Sequence, residues 1–226
     1  MKNKILLLIS IFCIFLATGC SDKKTTNTEK LLGIDYSTSD NEVSLEKYDT
    51  ENPVVAMYIK NYGSIVMELY PNVAPNTVNN FISLIKAGFY DNNTFHRLVP
   101  DFVLQGGDPT GTGTGGPGYS IKGEFSSNGI ENNLKHEKWI VSMARSQSND
   151  SAGSQFFIML DDSDFLNGQY AAFGKVIDGF DILEKVEKEE KIANDNTGQL
   201  ENNLVIVKTL IDLKNKEYKE VEKITE

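Results

Sequence analysis

The spacing of hydrophobic and polar positions predicts how the chain folds after residue 52. VVAMYIK and GSIVMELY are apolar runs rich in β-forming residues, separated by Asn61 and Tyr62, and this pattern predicts a hairpin. The following segment, TVNNFISLIKAG, changes to a helical period, and Gly88 supplies its stop signal. A second helix is predicted over FDILEKVEKEE, further along the chain.

Short apolar runs punctuated by glycine and asparagine lie between the two helical segments. They are FHRLV, FVLQGG, WIVSMAR, SQFFIML and AAFGKV, and LVIVKTLIDL follows the second helix as a late strand. Several short strands with only two helices favour a closed antiparallel sheet over alternating βαβ units. Because about 160 residues are enough to bury one core, the pattern predicts a single, mainly β domain over residues 53–213.

The first twenty residues have the layout of an export signal. Lys2 and Lys4 precede ILLLISIFCIFL, an apolar run too short to span a bilayer as a mature helix. It ends in LATGC, which resembles a bacterial lipobox, whose cysteine is acylated and becomes the mature N-terminus. We expect residues 1–19 to be a lipoprotein signal peptide and Cys20 to anchor the protein to the bacterial cell membrane, outside the cytoplasm. The alternative is a plain signal peptide with an incidental cysteine.

Polar segments flank the predicted domain. Residues 20–52 are polar, short of aromatic residues and without sustained periodicity, which indicates a lipidated cysteine followed by a flexible tether. Residues 214–226 end in NKEYKEVEKITE and are predicted to be a charged C-terminal tail.

The charge balance limits the possible partners. Without Lys2 and Lys4, the 22 basic residues become 20, against 32 acidic residues, which is a formal net charge of −12. Such a balance argues against nucleic acid or anionic lipid surfaces as partners. Membrane attachment would therefore depend on the lipid anchor at Cys20.

Several kinds of site chemistry have little support. Cys13 lies inside the signal, so after lipidation of Cys20 no cysteine remains as a nucleophile or metal ligand. His96 and His136 lack the spacing of a zinc site, and we expect no metal. The segment GTGTGGPG lacks the GK[ST] of a phosphate-binding loop and runs into Pro117 without starting a helix, so we expect a flexible surface loop.

Three separated segments carry more specific chemistry: FHRLVPDFVLQGGD, SMARSQSNDSAGSQFFIM and FLNGQYAAFGKV. Together they resemble the cyclophilin family of peptidyl-prolyl cis–trans isomerases, from about Val54 to Leu213. The resemblance implies a closed, eight-stranded antiparallel β-barrel capped by two α-helices. It also implies an isomerase without cofactor, whose partners are proline-containing peptides and unfolded exported proteins, and we expect a monomer.

The resemblance implies a role for particular residues. The implied catalytic residues are Arg97, Gln105 and Phe102, where Gln105 orients the arginine or the substrate carbonyl and Phe102 shares in lining the proline pocket. A second set is implied in substrate binding. Val103, Phe157 and Leu166 would line the proline pocket. Ala144, Arg145 and Gln155 would line the groove for the peptide backbone, and Phe165 and Tyr170 would form the pocket rim.

The chemistry of an X-Pro bond suits such a site. Amide resonance creates a rotation barrier of about 18–20 kcal/mol. An apolar pocket that grips the ring, with a fixed donor to the twisted amide, lowers that barrier without nucleophile or metal. Arginine provides a planar, charged fork that can contact nitrogen and carbonyl oxygen together. The alternative is a module that binds X-Pro segments or unfolded chains with little turnover, but the presence of Arg97, Gln105 and Phe102 favours the enzyme.

The chain departs from the best-known eukaryotic cyclophilin pattern at the pocket. Phe165 stands where tryptophan is usual, Tyr170 where histidine is usual, and Arg145 where asparagine is common. Val103 replaces a larger, methionine-like side chain. These changes resemble bacterial cyclophilins, so we expect catalysis but only weak binding of the cyclic peptide cyclosporin, because an indole N–H donor is missing.

Overall fold

The structure of the chain is a computed structural model that describes residues 43–225. The predicted signal peptide, Cys20 and the first part of the predicted tether lie outside the described residues. Within residues 43–225, no helix is long and apolar enough to cross a membrane.

The described residues form nine β-strands, two α-helices and three short 3-10 helices. The strands are β1 Val54–Ile59, β2 Gly63–Leu69, β3 Asn93–Val99, β4 Val103–Asp108, β5 Ile140–Met143, β6 Phe156–Met159, β7 Ala172–Asp178, β8 Ile192–Asn194 and β9 Gln199–Asp212. The helices are α1 Pro75–Lys86 and α2 Phe180–Glu189, and the 3-10 helices are Leu45–Lys47, Ser126–Asn128 and Asp164–Leu166. Each predicted strand and helix is present.

Eight of these strands form a closed antiparallel barrel. Their order is β1-β2-β7-β5-β6-β4-β3-β9, and pairing of β1 with β9 closes the ring. The short strand β8 pairs with β9 outside that ring. The structure therefore confirms the predicted closed barrel with two helices.

Helix α1 packs its apolar face on the barrel interior. Val78 and Phe81 are fully buried, and the Phe81 ring lies 5.0 Å from Phe173 and 5.3 Å from Phe156 between ring centroids. The helix starts at Pro75, whose missing N–H costs nothing in the first turn. The next two backbone N–H groups donate to the buried Glu124 carboxylate, and negative charge at a helix N-terminus is favourable.

The end of the predicted tether packs on the barrel. Leu45 is buried against Val54, Ala56 and Val66, and Lys214 Nζ donates to the Leu45 carbonyl at 3.1 Å. Composition assigned residues 43–52 to a flexible segment because a single buried leucine barely changes the polar average.

The predicted charged tail also contacts the folded domain. Ser120 and Ile224 exchange two backbone hydrogen bonds, of 3.1 and 2.8 Å. Glu222 N donates to Asn76 Oδ1 at 2.9 Å, and Lys223 Nζ lies 4.3 Å from the centre of the Tyr119 ring. These contacts attach the tail to α1 and to the loop that follows β4.

Candidate active site

Strands β3, β4 and β6 form one wall of a pocket with a volume of about 230 Å³. The 3-10 helix Asp164–Leu166 and Tyr170 provide its rim. The lining residues are Arg97, Phe102, Val103, Gln105, Ala144, Arg145, Phe157, Phe165, Leu166 and Tyr170. The structure thus brings together in one pocket all the residues that the resemblance implied in catalysis and substrate binding, except Gln155.

Strand register explains why distant residues meet here. Arg97 on β3 lies directly opposite Gln105 on β4, and Gln105 lies directly opposite Phe157 on β6. Residues directly opposite each other on antiparallel strands project on the same face of the sheet. The three side chains therefore form one row across three strands, and Val103, two residues before Gln105, shares that face.

Two adjacent glycines let neighbouring segments of the same chain approach β4 closely. A Cβ atom at Gly106 would lie 2.7 Å from the Thr94 carbonyl oxygen, and one at Gly107 would overlap the Ser154 carbonyl oxygen. Gly107 also has a φ of +86°, which disfavours a side chain. The glycines of QGGD thus hold β4 close to β3 and to the residue before Gln155.

A chain of hydrogen bonds connects the polar residues of the row. Arg97 Nε donates to the Thr197 carbonyl at 2.8 Å, and Nη1 donates to Gln105 Oε1 at 3.2 Å. Gln105 Nε2 donates to Gln155 Oε1 at 3.0 Å. Gln155 Nε2 in turn donates to the carbonyls of Gly115 at 2.9 Å and Gly113 at 3.1 Å.

Burial changes the electrostatics of the arginine. Desolvation lowers the pKa of Arg97 from its ordinary value, while the electrostatic effect of nearby Tyr170 acts in the opposite direction. The guanidinium remains a cation, since arginine is not deprotonated in proteins. A partly desolvated cation interacts more strongly with a nearby dipole than one in bulk water does.

The apolar part of the pocket consists of aromatic rings held by the core. Phe157 is 5% exposed, stacks on His136 with 6.0 Å between ring centroids, and meets Tyr170 edge-on at 5.8 Å. Phe165 is 72% exposed and stacks on Phe102 at 5.7 Å. The pocket therefore has a rigid floor and an exposed rim.

Arg145 ties the segment after β5 to the residue before Tyr170. Its Nε and Nη2 donate to the Gln169 carbonyl at 3.1 and 3.0 Å, and Nη1 donates to the Ser146 carbonyl at 3.0 Å. Its guanidinium carbon lies 4.7 Å from the centre of the Tyr170 ring. Its implied role in the groove stays a prediction.

A larger groove of about 590 Å³ adjoins the pocket. It shares Gln105, Ala144 and Arg145 with the pocket, and it is the cavity that Gln155 lines. Its other wall is the loop that contains residues 113–119. Gln105 therefore lies at the boundary of the two cavities.

Both histidines are buried and separate from each other. The ring of His136 is bonded to Asn167 at 3.2 Å and to Ser142 at 3.0 Å, and burial lowers its pKa. Burial also lowers the pKa of His96, partly offset by Asp108. Among residues 43–225, no group of three or more His, Cys, Asp or Glu side chains is placed to hold a metal ion.

The sequence did not reveal the backbone groups that complete the site. The Thr197 carbonyl orients Arg97 across a separation of 100 residues, and the carbonyls of Gly113 and Gly115 orient Gln155. Each residue has a carbonyl, so residue type carries no signal for these contacts. The glycine-rich composition of the loop was the one indirect sign of an unusual backbone path.

Comparisons with known proteins identify the family of the barrel domain. The family model for cyclophilin type peptidyl-prolyl cis-trans isomerase/CLD matches residues 54–210. Peptidyl-prolyl cis-trans isomerase B of Bacillus subtilis is 49% identical over 122 residues, covering 54% of this chain and 82% of that protein. The peptidyl-prolyl cis-trans isomerase of Helicobacter pylori is 42% identical over 136 residues, covering 59% and 80%.

A solved structure shows the same architecture. The crystal structure of a Cryptosporidium parvum cyclophilin type peptidyl-prolyl cis-trans isomerase, in the presence of the dipeptide Ala-Pro, aligns with a TM-score of 0.62 at 35% identity. The alignment covers 70% of this chain and 98% of that one.

Proposed function

Because the chain belongs to the cyclophilin-type peptidyl-prolyl cis–trans isomerases, we propose that Arg97 stabilises the twisted X-Pro amide while the bond rotates. The observation that carries this role is the hydrogen-bonded row from Arg97 through Gln105 to Gln155 beside an aromatic pocket. Gln105 positions the guanidinium, and Phe102 completes the pocket beside it.

The chemistry requires a donor that acts on the transition state more than on the planar amide. As the C–N bond rotates, conjugation is lost and the proline nitrogen recovers its lone pair. Arg97 is anchored by Nε and Nη1, and among the described residues its Nη2 has no hydrogen-bond partner. A preorganised guanidinium therefore presents a donor without having to reorganise during the reaction.

The aromatic floor supplies the seat for the proline ring. Phe157 and Leu166 are 5% and 6% exposed, and together with Phe102 they line the pocket. The Cryptosporidium relative was crystallised in the presence of Ala-Pro, and by similarity we place the proline of a substrate in this pocket. Excluding water there strengthens the interaction of Arg97 with the twisted amide.

The test is isomerase activity on a short peptide with a cis-enriched X-Pro bond. Arg97→Ala should lower kcat/KM by roughly 10²–10³, the scale expected for loss of one preorganised donor. Lysine should restore little, because a point charge does not replace the planar fork. The melting temperature should barely change, because Arg97 lines an open pocket and forms no salt bridge with any other residue in the range 43–225.

Arg145→Ala is the matched control, because this arginine lines the same pocket but directs its donors to backbone carbonyls. We expect a much smaller loss of kcat for Arg145→Ala than for Arg97→Ala. Full activity in a folded Arg97→Ala variant would contradict the catalytic role and favour a module that only binds X-Pro segments.

The isomerase is further proposed to act outside the cytoplasm, anchored by a lipid on Cys20, where it assists the folding of exported proteins. Support comes from Lys2 and Lys4, the apolar run and LATGC in their order. Uncatalysed X-Pro isomerisation takes about 10–100 s at 25 °C, so an exported chain with a proline-limited step would fold faster in its presence.

The anchor is tested by detergent-phase partitioning after expression in bacteria. The wild type should enter the detergent phase, and Cys20→Ala should stay in the aqueous phase with unchanged isomerase activity. Cys13→Ala is the matched control, since it removes a cysteine from the same segment without touching the lipobox. Aqueous partitioning of the wild type would rule out the lipoprotein.

A further inference from the structure

The side chain of Asp108, at the end of β4, is buried inside the glycine-rich loop that follows it. It is 1% exposed. Its Oδ1 accepts hydrogen bonds from Thr110 N at 2.7 Å and Thr110 Oγ1 at 2.8 Å. Its Oδ2 accepts from Thr112 N at 3.1 Å and Gly113 N at 2.6 Å. One carboxylate thus gathers donors from several residues of a segment whose composition predicted flexibility.

The carboxylate is ionised at neutral pH. Burial raises the pKa of Asp108, but hydrogen bonds from the backbone of Thr110, Gly115 and Gly113 outweigh burial and lower it to about 2. Hydrogen bonds to a charged acceptor are roughly twice as strong as those between neutral groups. The negative charge therefore holds the loop in one conformation.

Two glycines of the loop, Gly113 and Gly115, are required by this arrangement. A Cβ atom at Gly115 would overlap Oδ1 of Asp108. Gly113 has a φ of +90°, a conformation that side chains disfavour. Close approach of the backbone to the carboxylate thus accounts for the glycines at these two positions.

The ordered loop determines the orientation of the two glutamines. The carbonyls of Gly113 and Gly115 accept from Gln155 Nε2, so Gln155 Oε1 faces Gln105 and accepts from its Nε2. Gln105 must then turn its own oxygen to Arg97 Nη1. If Gln155 reversed, Gln105 would reverse with it and direct an NH₂ group at the guanidinium, which has no acceptor.

We propose that Asp108 is a positioning residue for the isomerase, which holds Arg97 in its active orientation through the glycine-rich loop, Gln155 and Gln105. This role rests on the proposed function of Arg97. Asp108 touches no reacting atom and acts by setting the direction of the hydrogen-bond chain.

The first test compares Asp108→Asn with Asp91→Asn. The Asp91 carboxylate also collects several donors, from Thr209 N, Thr209 Oγ1 and Lys208 Nζ, but has no contact with the pocket or the groove. Both substitutions should lower the melting temperature. Asp108→Asn should also lower kcat roughly tenfold with little change in KM, as expected for a partner that orients an active group, and Asp91→Asn should leave kcat unchanged.

A double-mutant cycle separates positioning from general stability. In a Gln155→Ala background the link between the loop and Gln105 is already broken, so adding Asp108→Asn should cost no further kcat. The additional loss of melting temperature should remain. Normal kcat in Asp108→Asn, or an equal loss of kcat in both backgrounds, would overturn the proposal.

Gly115→Ala provides a second variant that keeps the carboxylate but displaces the loop. It should reproduce the loss of kcat. If Asp108→Asn does not fold, Gly115→Ala alone tests the positioning role. Failure of the Arg97 role has a different signature, namely full activity in Arg97→Ala. An inactive Arg97→Ala with fully active Asp108→Asn and Gly115→Ala would reject the positioning role alone.

Discussion

The pocket and the groove are neighbours that share Gln105, Ala144 and Arg145, yet they are built differently. Most of the pocket lining is aromatic or aliphatic and comes from β4, β6, the turn before β4 and the segment from Asp164 to Tyr170. Most of these side chains pack together as one apolar cluster. The groove is lined by a glycine-rich loop whose path is set by hydrogen bonds to one buried carboxylate. Shape in the pocket therefore depends on packing, and shape in the groove depends on backbone polar contacts.

The largest effect should come from Phe157→Ala, which removes the floor of the pocket. Truncation of a buried phenylalanine typically lowers the free energy of unfolding by about 3–5 kcal/mol. Phe157 also contacts His136 and Tyr170, so substrate binding should fail as well. Urea denaturation measures the loss of stability, and the isomerase assay measures the loss of substrate binding.

Phe165→Ala is the control for Phe157→Ala, because Phe165 belongs to the same pocket but is 72% exposed. Its stability should change by less than about 0.5 kcal/mol, while KM rises. Equal destabilisation by both substitutions would contradict a rigid floor with an exposed rim.

A smaller effect is expected from deleting residues 221–226. Residues 222–224 of this segment contact Asn76, Tyr119 and Ser120. The deletion removes the Ser120–Ile224 hydrogen bonds, the contacts with Asn76 and the cation over Tyr119, a residue that lines the groove. We expect a loss of about 1–2 kcal/mol in stability, since each exposed hydrogen bond contributes near the low end of its range.

The tail deletion should raise KM for a peptide that fills the groove and leave kcat on a short X-Pro peptide unchanged. Lys223→Ala is the control, because it removes only the cation from Tyr119. An unchanged melting temperature after deletion would show that the tail does not stabilise the domain.

Phe165→Trp should add a hydrogen-bond donor to the rim of the pocket. An indole N–H adds one donor at the position where many cyclophilins have tryptophan, and one neutral hydrogen bond contributes about 1 kcal/mol. Weak inhibition of the wild type by cyclosporin should therefore strengthen about fivefold, measured by inhibition of isomerase activity. Nanomolar inhibition of the wild type would contradict this expectation.

The smallest effect concerns pH. Burial lowers the pKa of His136 behind the pocket and of His96 beneath the groove loop, relative to about 6.5 in the unfolded chain. Below pH ~6.5 the unfolded state takes up protons first, so the free energy of unfolding should decrease as pH falls from 7.5 to 5.5. The Asp108 carboxylate, with its lowered pKa, contributes to the loss of stability in acid only below pH ~3.8.

Urea denaturation at several pH values measures this slope in the wild type, His136→Gln and His96→Gln. Each substitution should flatten the dependence, because it removes one titrating group that is neutral when buried. An unchanged slope in both variants would show that neither histidine is responsible.

Much of the fold was predictable because its signals are local. Short apolar runs bounded by glycine and asparagine marked the strands, a helical period ending at Gly88 marked α1, and each element is present in the structure. Family resemblance named the residues of the pocket, and strand register brings Arg97, Gln105 and Phe157 into one row. Periodicity works here because the side chains that bury the core repeat with the geometry of their own element.

Only the tertiary structure could show which contacts between residues far apart in the sequence hold the domain and its site together. Leu45 attaches the end of the predicted tether, Ile224 pairs with Ser120, and the Thr197 carbonyl anchors Arg97. The glycine-rich loop, which composition assigned to flexibility, is organised around Asp108. Composition averages over neighbours along the chain and therefore misses single contacts between residues far apart. The sequence determined which residues line the pocket, but the closed barrel decided which carbonyls orient them, because each residue carries the same carbonyl and only folding selects its partner.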